Sequence, residues 1–289
     1  MDPLPFTLVV ISALSHAIWN FLTKGARDKD SYMLLMNLTS QLTFIPVFFV
    51  LLKDWQLTIE ALPFLLVSSA AETVYFLGLS GAYEAGDLSV VYPVARSSPL
   101  FVAILATLFM GEKLTSWGVV GISLIIAGVY VLHLRSLRGG VLRTLHSLGG
   151  RASQLALVAA LGTTVYSLAD KAAVSRIDPL LYAFWLEIFI TMFLTPAIIV
   201  RKGLKSVKAE WEKSGFRVTV SGFLMRGGYL LVLFAMVVSP ISYLLALRQV
   251  SVVIGAALGV ILLREGYGAP RLLGSTIIFA GVYVLGTLA

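Results

Sequence analysis

Long apolar stretches occupy almost the whole chain, and short polar connections separate them. A helix needs about 20 apolar residues to cross a bilayer. The pattern predicts ten membrane spans, which are roughly Leu4–Thr23, Tyr32–Leu52, Leu62–Tyr83, Leu88–Met110, Trp117–Leu134, Gln154–Val174, Pro179–Val200, Phe216–Val238, Ile241–Leu263 and Pro270–Leu288. Runs of this length without period-2 alternation exclude a membrane β-barrel. We therefore predict an all-α polytopic membrane protein.

The composition supports membrane insertion. Hydrophobic residues make up 58% of the 289 residues and charged residues 13%, whereas about a quarter of an average soluble domain is charged. So few charges cannot cover a soluble surface of this size. An ordinary cytosolic enzyme, a disordered chain and a nucleic-acid-binding protein are thus excluded. Because cysteine is absent, disulfides, thiolate metal sites and cysteine nucleophiles are excluded too.

The two halves of the chain resemble each other. The sequence AGVYVL occurs at Ala127–Leu132 and again at Ala280–Leu285, 153 residues later. Further pairs follow in the same order, at offsets between 147 and 154: Trp19 with Tyr166, Asn37 with Glu187, Tyr75 with Tyr229, Glu112 with Glu265 and Gly121 with Gly274. Each copy holds five spans, and an odd number forces the second copy to cross the membrane in the opposite sense. We predict two inverted five-helix repeats, residues 1–138 and 150–289.

Charges in the connections bear on localisation and orientation. No removable signal peptide is evident, because no basic region precedes the first apolar run, which is itself long enough to span. We expect a multi-pass protein of the inner or plasma membrane. Connections after odd-numbered spans hold 15 Lys and Arg residues, against 4 after even-numbered spans. Taken alone, this bias places both termini outside the cytoplasm.

The segment Leu88–Ser116 carries a family resemblance. It reads LSVVYPVARSSPLFVAILATLFMGEKLTS, with a polar entry containing proline, a helix rich in small residues, and then Gly-Glu-Lys-Leu. Together with SHAIWNFLTKGARDK from Ser15, it resembles an EamA domain of the drug/metabolite transporter superfamily. The resemblance covers nearly the whole chain. It implies ten helices around a central cavity, transport rather than enzymatic activity, and export as the usual direction. It also implies cytoplasmic termini, which conflicts with the loop charges, and the second copy lacks counterparts of Pro93 and Pro99.

Polar residues inside the predicted spans are candidates for the cavity. Ionisable residues are costly in a membrane helix and mostly face the interior of the bundle. Helical spacing places His16 with Asn20, and Tyr92 with Arg96, on shared faces. We predict a substrate cavity lined by thirteen residues, which are His16, Trp19, Asn20, Asn37, Glu72, Tyr75, Tyr92, Arg96, Glu187, Arg226, Tyr229, Tyr243 and Arg248.

Other charged and small residues have their own interpretations. Lys171 is typical of a snorkelling residue at the membrane interface, and Glu112 of a loop or cap residue. Glu72 and Arg226 occupy corresponding positions and are predicted to pair across the repeats, with a Glu72–Arg96 pair as the alternative. The fifth and tenth spans are rich in glycine and have few polar groups, which is typical of helices that pack closely or dimerise. A homodimer is therefore a hypothesis.

We expect a secondary transporter whose halves rock about a substrate near the membrane midplane. Arginines suit a carboxylate or phosphate, and an amino acid or related organic acid, moved by efflux, is the favoured substrate. The alternatives are a lipid or lipid-linked sugar flippase, and an intramembrane enzyme. Scattered histidines and the absence of HExxH, GxSxG and P-loop patterns argue against the enzyme. No cofactor or metal is expected, and the expected partners are a small-molecule substrate and the lipid bilayer.

Overall fold

The computed structural model describes residues 2–85, 91, 94–132, 134, 150–263 and 268–289. Throughout these residues the regular structure is helical. A short 3₁₀ helix, Ile59–Ala61, precedes α3, and the α-helices are α1 (Pro3–Lys24), α2 (Lys29–Leu51), α3 (Leu62–Ala85), α4 (Ser98–Met110), α5 (Ser116–Leu132), α6 (Arg151–Val174), α7 (Pro179–Val238), α8 (Ile241–Arg248), α9 (Val250–Leu263) and α10 (Ala269–Thr287). Three of them begin at an aspartate whose carboxylate accepts backbone N–H groups of the first turn, and these caps are Asp2, Asp28 and Asp178.

The predicted count of ten spans is not confirmed. By length and composition, seven helical segments of the described chain qualify as spans, and α4 and α5 are shorter apolar helices. The predicted seventh and eighth spans lie in the single 60-residue segment α7. Gly203 interrupts that segment with φ 76° and ψ 157°, a conformation essentially restricted to glycine. The predicted ninth span is divided between α8 and α9 at Gln249.

The helices α5 and α10 pack against each other through glycine. A Cβ atom added to Gly128 would lie 2.8 Å from the carbonyl oxygen of Gly274, and one added to Gly281 would lie 2.8 Å from that of Gly121. Each of these glycines has its counterpart 153 residues away in the other repeat. The two contacts are therefore equivalent, and each becomes the other when the repeats are interchanged. The close-packing interpretation of these helices is confirmed, and their glycine faces are occupied within the chain.

Two further helix contacts join the repeats: α3 packs on α6, and α1 packs on α7. A Cβ atom on Gly162 of α6 would lie 2.9 Å from the carbonyl oxygen of Ala71 on α3. On the other side, one on Gly228 of α7 would lie 3.1 Å from the Cβ of Ser15 on α1. Ser15 and Gly162 stand 147 residues apart, the offset that also relates Trp19 to Tyr166. The two repeats thus contact each other as two-fold partners, as an inverted repeat requires.

Where α7 ends and α8 begins, side chains from different repeats cap the helix ends. The Glu112 carboxylate accepts the N–H of Ile241 at 2.6 Å and the hydroxyl of Ser242 at 2.6 Å, so it caps α8. The ammonium of Lys171 donates to the carbonyls of Met236 and, at 3.0 Å, Ser239, which end α7. The cap interpretation of Glu112 is confirmed. Lys171 thus caps the end of α7, and its snorkelling at the membrane interface stays a prediction. Glu265 lies outside the described residues.

In the part of α7 that follows Gly203, the buried carboxylate of Glu210 holds the connection between α1 and α2. Glu210 accepts the backbone N–H groups of Arg27 at 3.1 Å and Asp28 at 3.0 Å. Asp28 accepts the hydroxyl of Ser206 at 3.0 Å. The sequence places residues 201–215 in a connection between spans, whereas the structure continues the helix beyond Gly203 and packs it on the first repeat.

Candidate functional site

A cavity lies between the two repeats. Helices α1, α2 and α3 line it from the first repeat, and α6, α7 and α8 line it from the second. Nine residues of the predicted set line it, namely His16, Trp19, Asn37, Glu72, Tyr75, Glu187, Arg226, Tyr229 and Arg248. It offers about 50 Å³ to the centres of water-sized molecules, which is room for roughly four waters.

Arg226 and Glu187 form an ion pair in this cavity, and each is no more than 3% exposed. The Ser40 hydroxyl also donates to Glu187, and Arg226 Nη1 donates to the carbonyl of Ala183 at 3.2 Å. The predicted Glu72–Arg226 pair is not among the ion pairs within 4.0 Å that the described residues form, although the two charges interact electrostatically. The reversal of α7 at its glycine break sets its first part against its second. Arg226 thus meets a carboxylate of its own repeat.

His16 lies between two arginines. Its Nε2 is 3.0 Å from Nη1 of Arg96, and its Nδ1 is 3.4 Å from Nη2 of Arg248. The Trp19 ring lies edge-on to the imidazole, with 4.8 Å between ring centroids. Arg96 lies in the turn that precedes α4, and Arg248 is the last residue of α8. The cluster therefore joins α1 to equivalent points of the two repeats.

Asp170 forms a buried hydrogen-bond centre beside the cavity. It is 0% exposed and accepts the hydroxyls of Ser68 at 2.6 Å, Tyr182 at 2.7 Å, and Tyr229. Asp170 thereby positions a tyrosine of the cavity without lining the cavity itself. The sequence signals for it were its place inside a predicted span and its position one turn beyond Tyr166 on the same face of α6.

Four further residues line the cavity that the sequence did not single out: Phe76, Tyr166, Ile190 and Met225. Apolar and aromatic side chains in a membrane helix give no polar signal that separates cavity from lipid. Tyr166 had one signal, because it is the counterpart of Trp19 in the repeat. Its ring lies edge-on to that of Tyr75, with 6.0 Å between centroids.

The remaining predicted residues lie elsewhere. Asn20 donates from its amide to the carbonyl of His16 at 2.7 Å, one turn back along α1, so its polar group is satisfied by its own helix. Tyr243 accepts the backbone N–H of Thr115 at 3.0 Å and packs on the α4–α5 connection. Neither lines the cavity, because local backbone groups take up their hydrogen bonds. Tyr92 lies outside the described residues, and Arg96 reaches the cavity region through His16.

The family model of the EamA-like transporter family matches residues 4–134 and 151–287. The chain belongs to the EamA-like transporter family. It is therefore a multi-pass integral membrane protein of the drug/metabolite transporter type, and the members of this family are transporters rather than enzymes.

The fold of this EamA-like chain is shared with a solved structure. That structure, titled "Crystal structure of protein", has 17% sequence identity and a TM-score of 0.75, and the match covers 98% of this chain and 99% of that one. At this identity the likeness shows the fold alone. No curated protein matches the chain.

The cavity of this EamA-like protein presents both signs of charge beside aromatic rings. Its arginines, Arg226 and Arg248, come from the second repeat, and Arg96 of the first repeat contacts the lining residue His16. Glu187 and Arg226 neutralise each other, and Asp170 is held by three hydroxyls. Within the described residues, no group of three His, Asp or Glu side chains is arranged to hold a metal ion. The arrangement can bind a small polar molecule through hydrogen bonds and charge, with an apolar part against the aromatic rings.

Proposed function

We propose that the chain is a secondary transporter that moves an amino acid or a related small organic acid through the cavity between its repeats. The direction is efflux, and the site is the inner or plasma membrane. The transport unit comprises two inverted five-helix repeats, residues 1–138 and 150–289, with the nine predicted residues that line the cavity as its candidate substrate site. A homodimer is not needed for this route.

One observation carries the proposal. The charged and aromatic residues of the described chain converge on a cavity that both repeats line. Ionisable residues inside membrane helices are costly and mark substrate or ion pathways. Guanidinium groups suit a carboxylate, and Tyr75, Tyr166 and Phe76 suit an apolar group.

Alternating access fits the small size of the cavity. About 50 Å³ for water-sized centres is too little for an amino acid, so the repeats must separate before the substrate enters. Interrupted helices near the site give the places where such movement begins, at the turn before α4 and at Gln249. Coupling of transport to protons needs a cavity carboxylate that can take up a proton. Glu187 is held by Arg226, so Glu72 is the candidate.

The experiment is a transport screen with the purified protein in liposomes. Radiolabelled amino acids and organic acids are offered singly, and uptake is compared with protein-free liposomes and with Arg226→Met. We expect uptake of at least one acid above both controls. Uptake of none, together with accelerated movement of a labelled phospholipid between leaflets, would instead establish the flippase alternative.

A further inference from the structure

The geometry points to a carboxylate subsite formed by Arg96, His16 and Arg248. We infer that the carboxylate of the transported acid binds both guanidinium groups there and replaces their contacts with His16. This inference rests on the proposed function, and it makes the carboxylate the part of the substrate that the protein requires.

The contacts of His16 lack a second acceptor. A guanidinium only donates hydrogen bonds, and a neutral imidazole has one acceptor nitrogen, whereas a protonated one has none. Yet Arg96 approaches Nε2 at 3.0 Å and Arg248 approaches Nδ1 at 3.4 Å. At least one of these contacts therefore sets one N–H group against another. An anion placed between the guanidinium groups supplies the missing acceptors.

Arg248 gives a second, independent observation. Its Nε is buried and has no hydrogen-bond partner, which is costly for a charged donor. Glu72 is near enough to interact electrostatically with Arg248. However, among the described residues no carboxylate oxygen lies within 4.0 Å of the Arg248 guanidinium. Arg248 lines the cavity, and its Nε is the donor of that side chain that the described protein groups leave without a partner.

The other carboxylates of the region are already engaged. Glu187 is paired with Arg226 and accepts the Ser40 hydroxyl. Asp170 accepts three hydroxyl groups and does not line the cavity. Glu72 acts on Arg248 only at a distance, so the unpartnered Nε of Arg248 is the donor that a molecule entering the cavity can satisfy.

The backbone at the two arginines also favours an anion. Arg96 stands two residues before α4 begins at Ser98, and Arg248 stands two residues before α9 begins at Val250. Each arginine therefore lies beside the N-terminus of a half-helix, where backbone N–H groups and the helix dipole attract negative charge. The two sites are equivalent in the repeats, so one carboxylate contacts both halves of the transporter at once.

A carboxylate fits better than a larger anion. Its two oxygens match two guanidinium donors in a bidentate arrangement. The rings of Trp19, Tyr75 and Tyr166 border the same cavity and are positioned for the rest of the acid.

The test uses the acid with the strongest uptake in the liposome screen and its own primary amide; for phenylalanine, the amide is phenylalaninamide. Each compound competes against uptake of the labelled acid. We expect the acid to inhibit at a concentration about tenfold or more below that of the amide, as loss of charged hydrogen bonds implies. In Arg248→Gln and Arg96→Gln the ratio of the amide's inhibitory concentration to that of the acid should fall towards one. Arg248→Lys, which keeps the charge, should retain part of it.

The matched control is Arg176→Gln, an exposed arginine that caps its own helix, and it should keep the wild-type ratio. Melting in detergent establishes that each variant is folded. If the acid and the amide inhibit wild type equally, or if Arg248→Gln keeps the full ratio while still transporting, the carboxylate subsite is overturned although transport stands. Stronger inhibition by the phosphonate analogue also overturns it. If wild type transports no acid, the proposed function itself fails.

Discussion

The glycine interface of α5 with α10 and the cavity both lie between the two repeats, yet they differ in composition. At the interface the residues are the same in both copies, since Gly121 and Gly128 recur as Gly274 and Gly281. In the cavity they diverge: Asn37 has Glu187 as its counterpart, and Glu72 has Arg226. The interface packs backbone on backbone, whereas the cavity gathers charge.

This difference separates two tasks of a duplicated chain. Close backbone packing needs the same small residues on both sides of the two-fold relation. A substrate has no two-fold symmetry, so a site that binds one in a defined orientation needs unlike groups at equivalent positions. Matched glycines therefore maintain the architecture, whereas the cavity adds unlike groups at equivalent positions, such as Glu72 and Arg226, to matched residues such as Arg96 and Arg248. The predictions that follow test this division from the largest expected effect to the smallest.

Breaking the buried ion pair should have the largest effect on stability. Arg226→Met leaves Glu187 buried without its partner, which costs about 3–5 kcal/mol. We expect a marked drop of the melting temperature in detergent. The double variant Arg226→Met with Glu187→Gln should recover most of the stability but not transport. If the double variant melts like the single one, the pair does not control folding.

A methyl group in the glycine interface should be the next most damaging change. A Cβ atom at position 274 would lie 2.5 Å from the Cα of Leu132, and such overpacking costs about 1–3 kcal/mol. Gly274→Ala should lower the melting temperature while the folded fraction keeps its acid preference. Gly255→Ala is the matched control, because a Cβ atom there meets nothing within 4 Å. Equal melting of the two variants would contradict the interface.

Removing the Glu112 cap should have a smaller effect. Glu112 accepts the N–H of Ile241 and the hydroxyl of Ser242, and loss of a helix cap costs about 1 kcal/mol. We expect Glu112→Ala to lower the melting temperature slightly. Glu60→Ala, at an exposed position, is the control and should melt like wild type. A drop in Glu60→Ala as large as in Glu112→Ala would contradict the cap.

The smallest expected effect depends on pH. Burial raises the pKa of the Asp28 carboxyl, but hydrogen bonds from Ser31 and Ser206 and the charge of Lys202 outweigh it, so its pKa lies below its ordinary value of 3.8. A carboxyl whose pKa is lowered by folding stabilises the protein at pH values above its ordinary pKa. This stabilisation is lost as the pH falls through the lowered pKa. The melting difference between wild type and Asp28→Asn should therefore shrink in acid. Ser206→Ala should reduce the same difference, and a difference independent of pH would contradict the assignment.

The sequence carries much of this architecture. Apolar run length and the repeated AGVYVL predict helices in two copies, and mid-span polar residues predict most of the cavity lining that the structure shows. The sequence did not predict which side chains pair with each other. Arg226 meets Glu187 because α7 reverses at Gly203, and no local pattern encodes where the reversed helices face each other. Lys171 likewise caps α7 because tertiary packing places the ends of α7 beside it.

The division also explains which residues escaped detection. Asn20 and Tyr243 carry polar groups at suitable spacing, yet backbone groups close by in space satisfy them. Met225 and Phe76 carry no polar signal and still line the cavity. Helical spacing tells which residues share a face, but only the packing of neighbouring helices tells whether that face meets lipid, protein or cavity.

Substrate protection of a single cysteine tests the central claim most directly. The natural chain has no cysteine, so Met225→Cys, in the cavity lining, introduces one unique thiol. We predict that a small water-soluble thiol reagent labels this cysteine in liposomes. The transported acid should slow the labelling in proportion to its inhibition of uptake. The control variant Ser175→Cys, exposed after α6, should be labelled at the same rate with and without the acid. Labelling of Met225→Cys at the same rate with and without saturating acid would contradict binding in this cavity.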